Sequence, residues 1–219
     1  MDRKILEKCT LFRGLSSDEK ARALSFFRAT ERRCKKGESL NIPGGPLKRF
    51  GLVLSGGIMV FMDDFDGNRQ LMASVQPGST FGESLCFLGI TAQVMIESVA
   101  DSEILELDAA PVRDEGAGGL FEAEMRRRFT AMLAERTLAM NDRIQILSKP
   151  AIRSKVITLL SQYHPRNGEV IRLPFGREAM ARYLGVNQSA LSRELSRMKA
   201  EGIIDFKGSE FRITGPASR

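Results

Sequence analysis

The sequence predicts an α+β fold in three parts. These are a body over residues 1–119 that is all-β from about Ala29 to Leu107, a long helix over 120–148, and a small basic domain over 149–219. Three observations predict it. Between Ala29 and Leu107, short apolar runs are broken by Lys36-Gly37, Pro43-Gly44-Gly45-Pro46, Gly56-Gly57, Asp66-Gly67 and Pro77-Gly78. That is the texture of a β-sandwich or barrel. Leu120–Leu147 then runs 28 residues without Gly or Pro. Finally, residues 149–219 carry 13 Lys+Arg against 6 Asp+Glu, whereas residues 1–148 carry 20 against 21.

Taken in order, residues 15–27 read as a short amphipathic helix capped by Ser16 or Ser17. Asp66-Gly67 lies between Ile58–Met62 and Gln70–Val75, a good hairpin signal. Val94–Val99 and Glu103–Leu107 suggest a second strand pair. Pro111 and Gly116-Ala117-Gly118-Gly119 mark a loop before the long helix, which would extend about 42 Å. Along that helix Phe129, Leu133, Met140, Ile144 and Leu147 approximate one apolar stripe, interrupted by Arg136. The stripe predicts a dimerisation seam, with packing back on the β body as the alternative. Arg126-Arg127-Arg128 is assigned to the solvated side. Ser148-Lys149-Pro150 ends the helix, because proline disfavours helix in the residue before it. A further helix starts at 151–163, and His164-Pro165-Arg166-Asn167-Gly168 reads as a turn.

Composition narrows the classes. Hydrophobic residues at 42% and charged residues at 27% are ordinary globular values. The longest uncharged runs, Phe50–Met62 and Ser84–Ile96, are too short to span a bilayer. No signal peptide is read at the N-terminus, so a cytoplasmic protein without a membrane partner is expected. Cys9, Cys34 and Cys86 sit in no paired motif, and buried reduced thiols are the default reading. No phosphate-cradling loop, nucleophile elbow or metal-spaced cluster occurs, which points away from an enzyme and from a metal site.

Residues 176–202, GREAMARYLGVNQSALSRELSRMKAEG, carry the functional signal. A short helix over 177–184 ends at Gly185, and Asn187 caps the next. That second helix puts Leu191, Leu195 and Met198 on one face and Gln188, Ser189, Ser192, Arg193 and Ser196 on the other. Such a layout predicts a helix-turn-helix entering the major groove of double-stranded DNA. Gln188, Ser189, Ser192 and Arg193 are the expected base readers. Arg177, Arg182, Ser196, Arg197 and Lys199 are the expected phosphate contacts. Ile203–Phe206 and Phe211–Thr214, around Lys207-Gly208-Ser209, add a hairpin wing. An ordinary helical hairpin with a solvated basic face is the competing reading.

With these parts in order, the chain resembles the Crp/Fnr superfamily of bacterial regulators. KKGESL (35–40), LVLSGGIMVF (52–61), DGNRQL (66–71), PGSTFGESLCFLG (77–89), DSEILELD (101–108) and LGVNQSALSRELSRMKAEGII (184–204) carry the resemblance. It implies a cyclic-nucleotide-binding-type β-roll (jelly roll), a dimerisation helix and a C-terminal winged helix. It also implies a homodimer on a palindromic operator, control by a small-molecule or redox effector, and RNA polymerase as a partner. The effector pocket it implies involves Phe81, Gly82, Glu83, Ser84, Ala92 and Gln93. Gly82 and Glu83 match a ribose-holding pair, although a structural carboxylate is the plainer reading of Glu83. The phosphate-holding Arg-Ser pair falls at Ala92 and Gln93, and no Arg lies between Arg69 and Arg113. A phosphodiester there would lack its cation, so cyclic AMP is not the expected effector. Three scattered cysteines provide no iron–sulfur motif. The sole histidine, His164, is read as a turn residue rather than a haem ligand. Met125, Met132 and Met140 are either core or the lining of an apolar pocket. The effector's identity stays unknown, and an effector-independent architectural DNA binder is the alternative function.

Overall fold

The computed structural model describes residues 4–63, 66, 69–114, 118–163, 170–173 and 175–215. The expected Gly67 hairpin tip, the Gly116-Ala117 step and the His164–Gly168 turn lie outside the described residues. The chain divides into two compact units, Met1–Ala134 and Glu135–Arg219.

The first unit opens with a 3₁₀ turn, Ile5–Lys8, and helix α1, Ser17–Phe26. Ser16 caps α1: its hydroxyl accepts from Glu19 N–H, and the Glu19 carboxylate accepts from Ser16 N–H. Two orphan amides are thereby satisfied reciprocally. Strands β1 (Thr30–Cys34), β2 (Arg49–Ser55), β3 (Ile58–Asp63), β4 (Arg69–Val75) and β5 (Thr80–Phe81) follow. Helix α2 (Glu83–Leu88), strands β6 (Met95–Ser98) and β7 (Ser102–Asp108), and helix α3 (Ala110–Arg113) complete the body. The strands form two antiparallel sheets, ordered β1-β7-β2-β5 and β4-β3-β6. Cys34, Val53, Ile58, Val75, Phe81, Ile96 and Ile104, one from each strand, share a single core between them. This is the expected β-roll.

The predicted hairpin forms, with Ile58 opposite Val75 and Asp63 opposite Arg69. The predicted pair of Val94–Val99 with Glu103–Leu107 does not. Both segments are strands, but β6 pairs with β3, whereas β7 pairs with β1 and β2. The chain crosses between sheets at residues 99–101. There Ser98 Oγ donates to Ser102 Oγ (2.9 Å), which also accepts from Gly57 N–H (3.1 Å). A Cβ on Gly56, whose φ is +79°, would meet Ser102 Oγ at 2.2 Å. The buried hydroxyls of Ser98 and Ser102 thus find within the crossover the partners that burial demands.

Helix α4, Leu120–Leu147, begins in the first unit and ends in the second. Its expected stripe divides. Phe129 is buried and Leu133 packs on the first unit's core, where Phe129 meets Phe50 (5.7 Å) and Phe87 (5.5 Å). Met125 and Met132 belong to that core too. Met140, Ile144 and Leu147 stay exposed, as does Leu138, whereas Ile146 enters the second unit's core. Arg136 is half-buried. The arginine run is also not uniformly solvated. Arg128 reaches Arg13 O (2.8 Å) and, with Arg127, holds Glu124, whose pKa these arginines depress to about 2.

In the second unit, α5 (Ile152–Gln162), β8 (Ile171–Arg172), α6 (Arg177–Leu184), α7 (Gln188–Ala200), β9 (Ile204–Lys207) and β10 (Glu210–Ile213) follow. The sheet order is β8-β10-β9. Val156, Leu159, Leu160, Met180, Leu184, Leu191, Leu195, Met198 and Phe211 fill its core.

All three cysteines are buried. Desolvation, reinforced by the nearby charges of Glu83 and Asp108, pushes the Cys86 thiol up to about 12. Burial raises Cys34 as well. Since the thiolate is the reactive form, Ellman's reagent should label the folded protein on the order of a hundredfold more slowly than the denatured one. A thiol reacting at the free rate in the native state would contradict this burial.

Candidate nucleic-acid interface

The second unit exposes one helix face for which its own sequence supplies the reason. Gly185, at φ +63°, closes α6 in the left-handed region, where a side chain costs more than glycine's hydrogen. Asn187 then opens α7, its Oδ1 accepting from Ser189 N–H (2.9 Å) and Ala190 N–H (3.4 Å). Leu191, Leu195 and Met198 are each fully buried, a contribution of about 1.5–3 kcal/mol per side chain. Burying that face leaves Gln188, Ser189, Ser192, Arg193, Ser196, Arg197 and Lys199 exposed together on the other. The Ser189 hydroxyl donates to Asn187 Oδ1 (2.6 Å), so toward a ligand it is left as an acceptor.

The cations on this surface differ in how far they are already engaged. Arg182 lies 3.4 Å from Glu178, Arg197 lies 3.6 Å from Glu194, and Lys199 pairs with Asp205 at 2.6 Å. On α7, Arg193 is the cation with no ion-pair partner among the described residues. The Arg182 and Lys199 pairs are exposed on both sides, where such contacts contribute little and exchange readily for another anion. Arg197 is itself exposed, whereas its partner Glu194 is half-buried and already held by Arg153.

Arg177 is placed differently from the surface cation that sequence reasoning expects. It is half-buried, with its guanidinium over Phe206 (4.8 Å) and Phe211 (5.3 Å) and donating to Gly208 O (3.3 Å). Desolvation lowers its pKa. The cause is the wing: β9 and β10 bring two rings to one side of α6, and a flat cation stacks on them. Arg177 therefore braces the β9–β10 turn. On that hairpin Lys207 and Arg212 are exposed, two cations that sequence reasoning did not single out.

It also missed Arg153. From α5, Arg153 donates to Glu194 on α7 (2.7 Å) and by two bonds to Glu201 just beyond it (2.7 and 2.9 Å). Nothing in the spacing of residues 41 and 48 apart signals such a clamp.

The residues expected to form an effector pocket divide by exposure. Phe81, Glu83 and Ala92 are buried, whereas Ser84 and Gln93 are exposed. The Phe81 ring lies over Gly51, where a Cβ would come within 2.1 Å of it. Gly82, at φ +79°, starts α2. Ala92 N–H donates to Gly45 O (3.0 Å), and Gln93 Nε2 donates to Thr91 Oγ1 (3.3 Å). Among the described residues no cluster of His, Cys, Asp and Glu could hold a metal ion, and no helix is long and apolar enough to cross a membrane.

Comparison with known proteins agrees with both units. Residues 31–115 match the cyclic nucleotide-binding domain family, and residues 154–218 match the Crp-like helix-turn-helix domain family. Electron transport regulator A of Shewanella oneidensis is 25% identical over 183 residues, 80% of this chain and 70% of its own. Transcriptional activator protein FnrA of Stutzerimonas stutzeri is 24% identical over 189 residues, 82% of this chain and 74% of its own. The structure of FixK2 from Bradyrhizobium japonicum shares the fold at a TM-score of 0.52. It is 24% identical, with 85% of this chain and 93% of that one covered.

The Arg153 clamp makes a pH-dependent contribution. Its hydrogen bonds hold the Glu201 carboxyl below its ordinary value of 4.5. A carboxylate depressed in the folded state stabilises above its unfolded pKa, and that stabilisation is lost as pH falls through the folded one. Arg153→Met should therefore lower the thermal midpoint at pH 7. The gap from the parent should close as the pH drops below 4.5. A gap that is unchanged between pH 7 and pH 3 would place the effect in packing instead.

Proposed function

The chain belongs to the Crp/Fnr superfamily of transcription regulators, and on that premise we propose that it acts as a homodimer reading a near-palindromic DNA operator. The observation that carries this reading is Arg193. It is the exposed cation on α7 with no ion-pair partner among the described residues, beside the exposed Gln188, Ser189 and Ser192. Arg can bind guanine through two hydrogen bonds and Gln can bind adenine likewise. Ser189, its proton given to Asn187, reads a base as an acceptor. Arg182, Arg197 and Lys199 contact phosphates by exchanging weak surface ion pairs for the DNA backbone, and the Ser196 hydroxyl donates to it. Lys207 and Arg212 extend that contact on a wing braced by Arg177.

The division of labour follows the three segments 1–119, 120–148 and 149–219: a β-roll that receives the signal, a dimerisation helix, and the DNA-binding domain. Met140, Ile144 and Leu147, exposed at spacings of four and three, supply the seam. Phe129 and Leu133, covered by the first unit's core, do not. The work takes place in the cytoplasm, where the operator is, with RNA polymerase as the partner that reads the outcome.

Replacing Arg193 with Ala should cost about 1–3 kcal/mol of discrimination at one base pair per half-site, measured by competition among single-base operator variants. Equal ratios of specific to random binding for variant and parent would remove Arg193 from the reading set. For the seam, Ile144→Glu should turn a dimer into a monomer in sedimentation equilibrium and weaken operator binding. A parent protein that sediments as a monomer would end the dimer proposal.

A further inference from the structure

We infer that a cleft between helix α1 and the β1–β7 edge of the first unit binds a small apolar amine, its ammonium group paired with Glu31 and its apolar body held in the cleft. The inference rests on the fold of the first unit, and neither dimerisation nor DNA binding enters it.

Two alanines leave the space open. The cleft has a volume of about 420 Å³, within the range of about 300–1,000 Å³ of small-molecule sites. Leu6, Leu24 and Leu105 give it apolar walls, while Ala21 on α1 and Ala29 just before β1 present only methyl groups. Larger side chains at those two positions would take up the volume, as they do in a close-packed core. Strand β1 is the edge strand of its sheet, and Ala21 and Glu31 are exposed, so the cleft opens to solvent there. It lies on the opposite face of that sheet from Phe81. Leu105 turns to the core that takes in Met125 and Phe129 of α4, whereas its neighbour Ile104 turns to the core that holds Phe81.

Charge sets the class of ligand. Lys20 and Glu31 are the charged residues of the cleft. The Lys20 side chain is largely buried and already paired with Glu7, which also accepts from Gly14 N–H (2.9 Å). The arginines beside Glu31 in the chain are matched as well, Arg28 by Asp108 (2.9 Å), Arg32 by Glu38 (2.8 Å) and Arg33 by Glu103 (3.1 Å). Among the described residues the Glu31 carboxylate has neither a hydrogen bond nor an ion pair. Glu31 stands opposite Leu105 in the ladder, and residues directly opposite on paired strands project from the same face. The cleft therefore combines apolar walls with one uncommitted negative charge. An organic acid would meet Glu31 as a like charge, which is costly, and would have to take Lys20 from Glu7. An ammonium group meets neither obstacle.

Three probes of similar shape and different charge test this: phenethylamine, phenethyl alcohol and phenylacetate, titrated into the full-length chain at pH 7 and followed by ligand-observed NMR. The amine should bind saturably and about fivefold more tightly than the alcohol, the upper end of what an exposed ion pair contributes. Phenylacetate should bind more weakly than either. Glu31→Gln, at an exposed position, should leave the thermal midpoint of the free protein unchanged and bring the amine's affinity down to the alcohol's. Ala21→Phe should fill the cleft and abolish binding of both. Three results would overturn the inference. The amine fails to bind saturably, or it keeps its advantage over the alcohol in Glu31→Gln, which would place it elsewhere on the molecule. In the third, phenylacetate binds as tightly as the amine, which would make Lys20 the anchor.

Discussion

Helix α7 can offer a bare polar face only because its other face is fully committed. Leu191, Leu195 and Met198 are buried in the second unit's core, and together they fix the rotation of the helix about its axis. A turn of about 100°, one residue's worth, would bring a serine into the core and a leucine into water. The Asn187 cap fixes where the helix starts, and the Arg153 clamp ties α7 to α5. Every proposed DNA contact depends on that orientation, since base edges accept hydrogen bonds only within a narrow range of positions. Small side chains at 189 and 192 leave the helix free to approach a groove.

The first unit is organised around a different constraint, the crossing of its chain between two sheets. Hairpins keep consecutive strands side by side, so a continuous meander would give one sheet with a single covered face. The chain instead changes sheet at β2–β3, β4–β5, β5–β6 and β6–β7, and the last of these steps, at Ser98–Ser102, sets β6 and β7 in opposite layers around one core. Gly56 makes room for it, because any side chain there would strike Ser102. The resulting interior reaches α4 through a run of rings, Phe27 to Phe50 to Phe129. The start of the long helix is consequently part of the first unit's own core.

Charge in the second unit separates into structural and available groups. Arg153 and Arg177 are engaged inside the domain, one by carboxylates and one by aromatic rings. Arg182, Arg197 and Lys199 are exposed and hold their carboxylates at a surface where a phosphate could replace them. A net charge alone does not make this distinction, because an arginine under a ring and an arginine on a bare helix face count equally. Burial and partners decide which can meet a polyanion.

Local chemistry made much of this legible in advance. A Gly185 turn, an Asn187 cap and apolar residues at four- and three-residue spacing determined the helix-turn-helix, because caps and periodicity act over a few residues. Turn signals at Gly37, Gly56 and Gly78 likewise determined the strands of the first body, though not the short helix α2 set among them. Only the tertiary structure decided the rest. It sent β6 and β7 to different sheets, gave Phe129 and Leu133 to the core rather than to a helix seam, and laid Arg177 on the wing's rings. It also joined Arg153 to carboxylates 41 and 48 residues away. The physical reason is common to all of these. Each depends on which distant surface finally covers a side chain, and no pattern of neighbours along the chain encodes that surface.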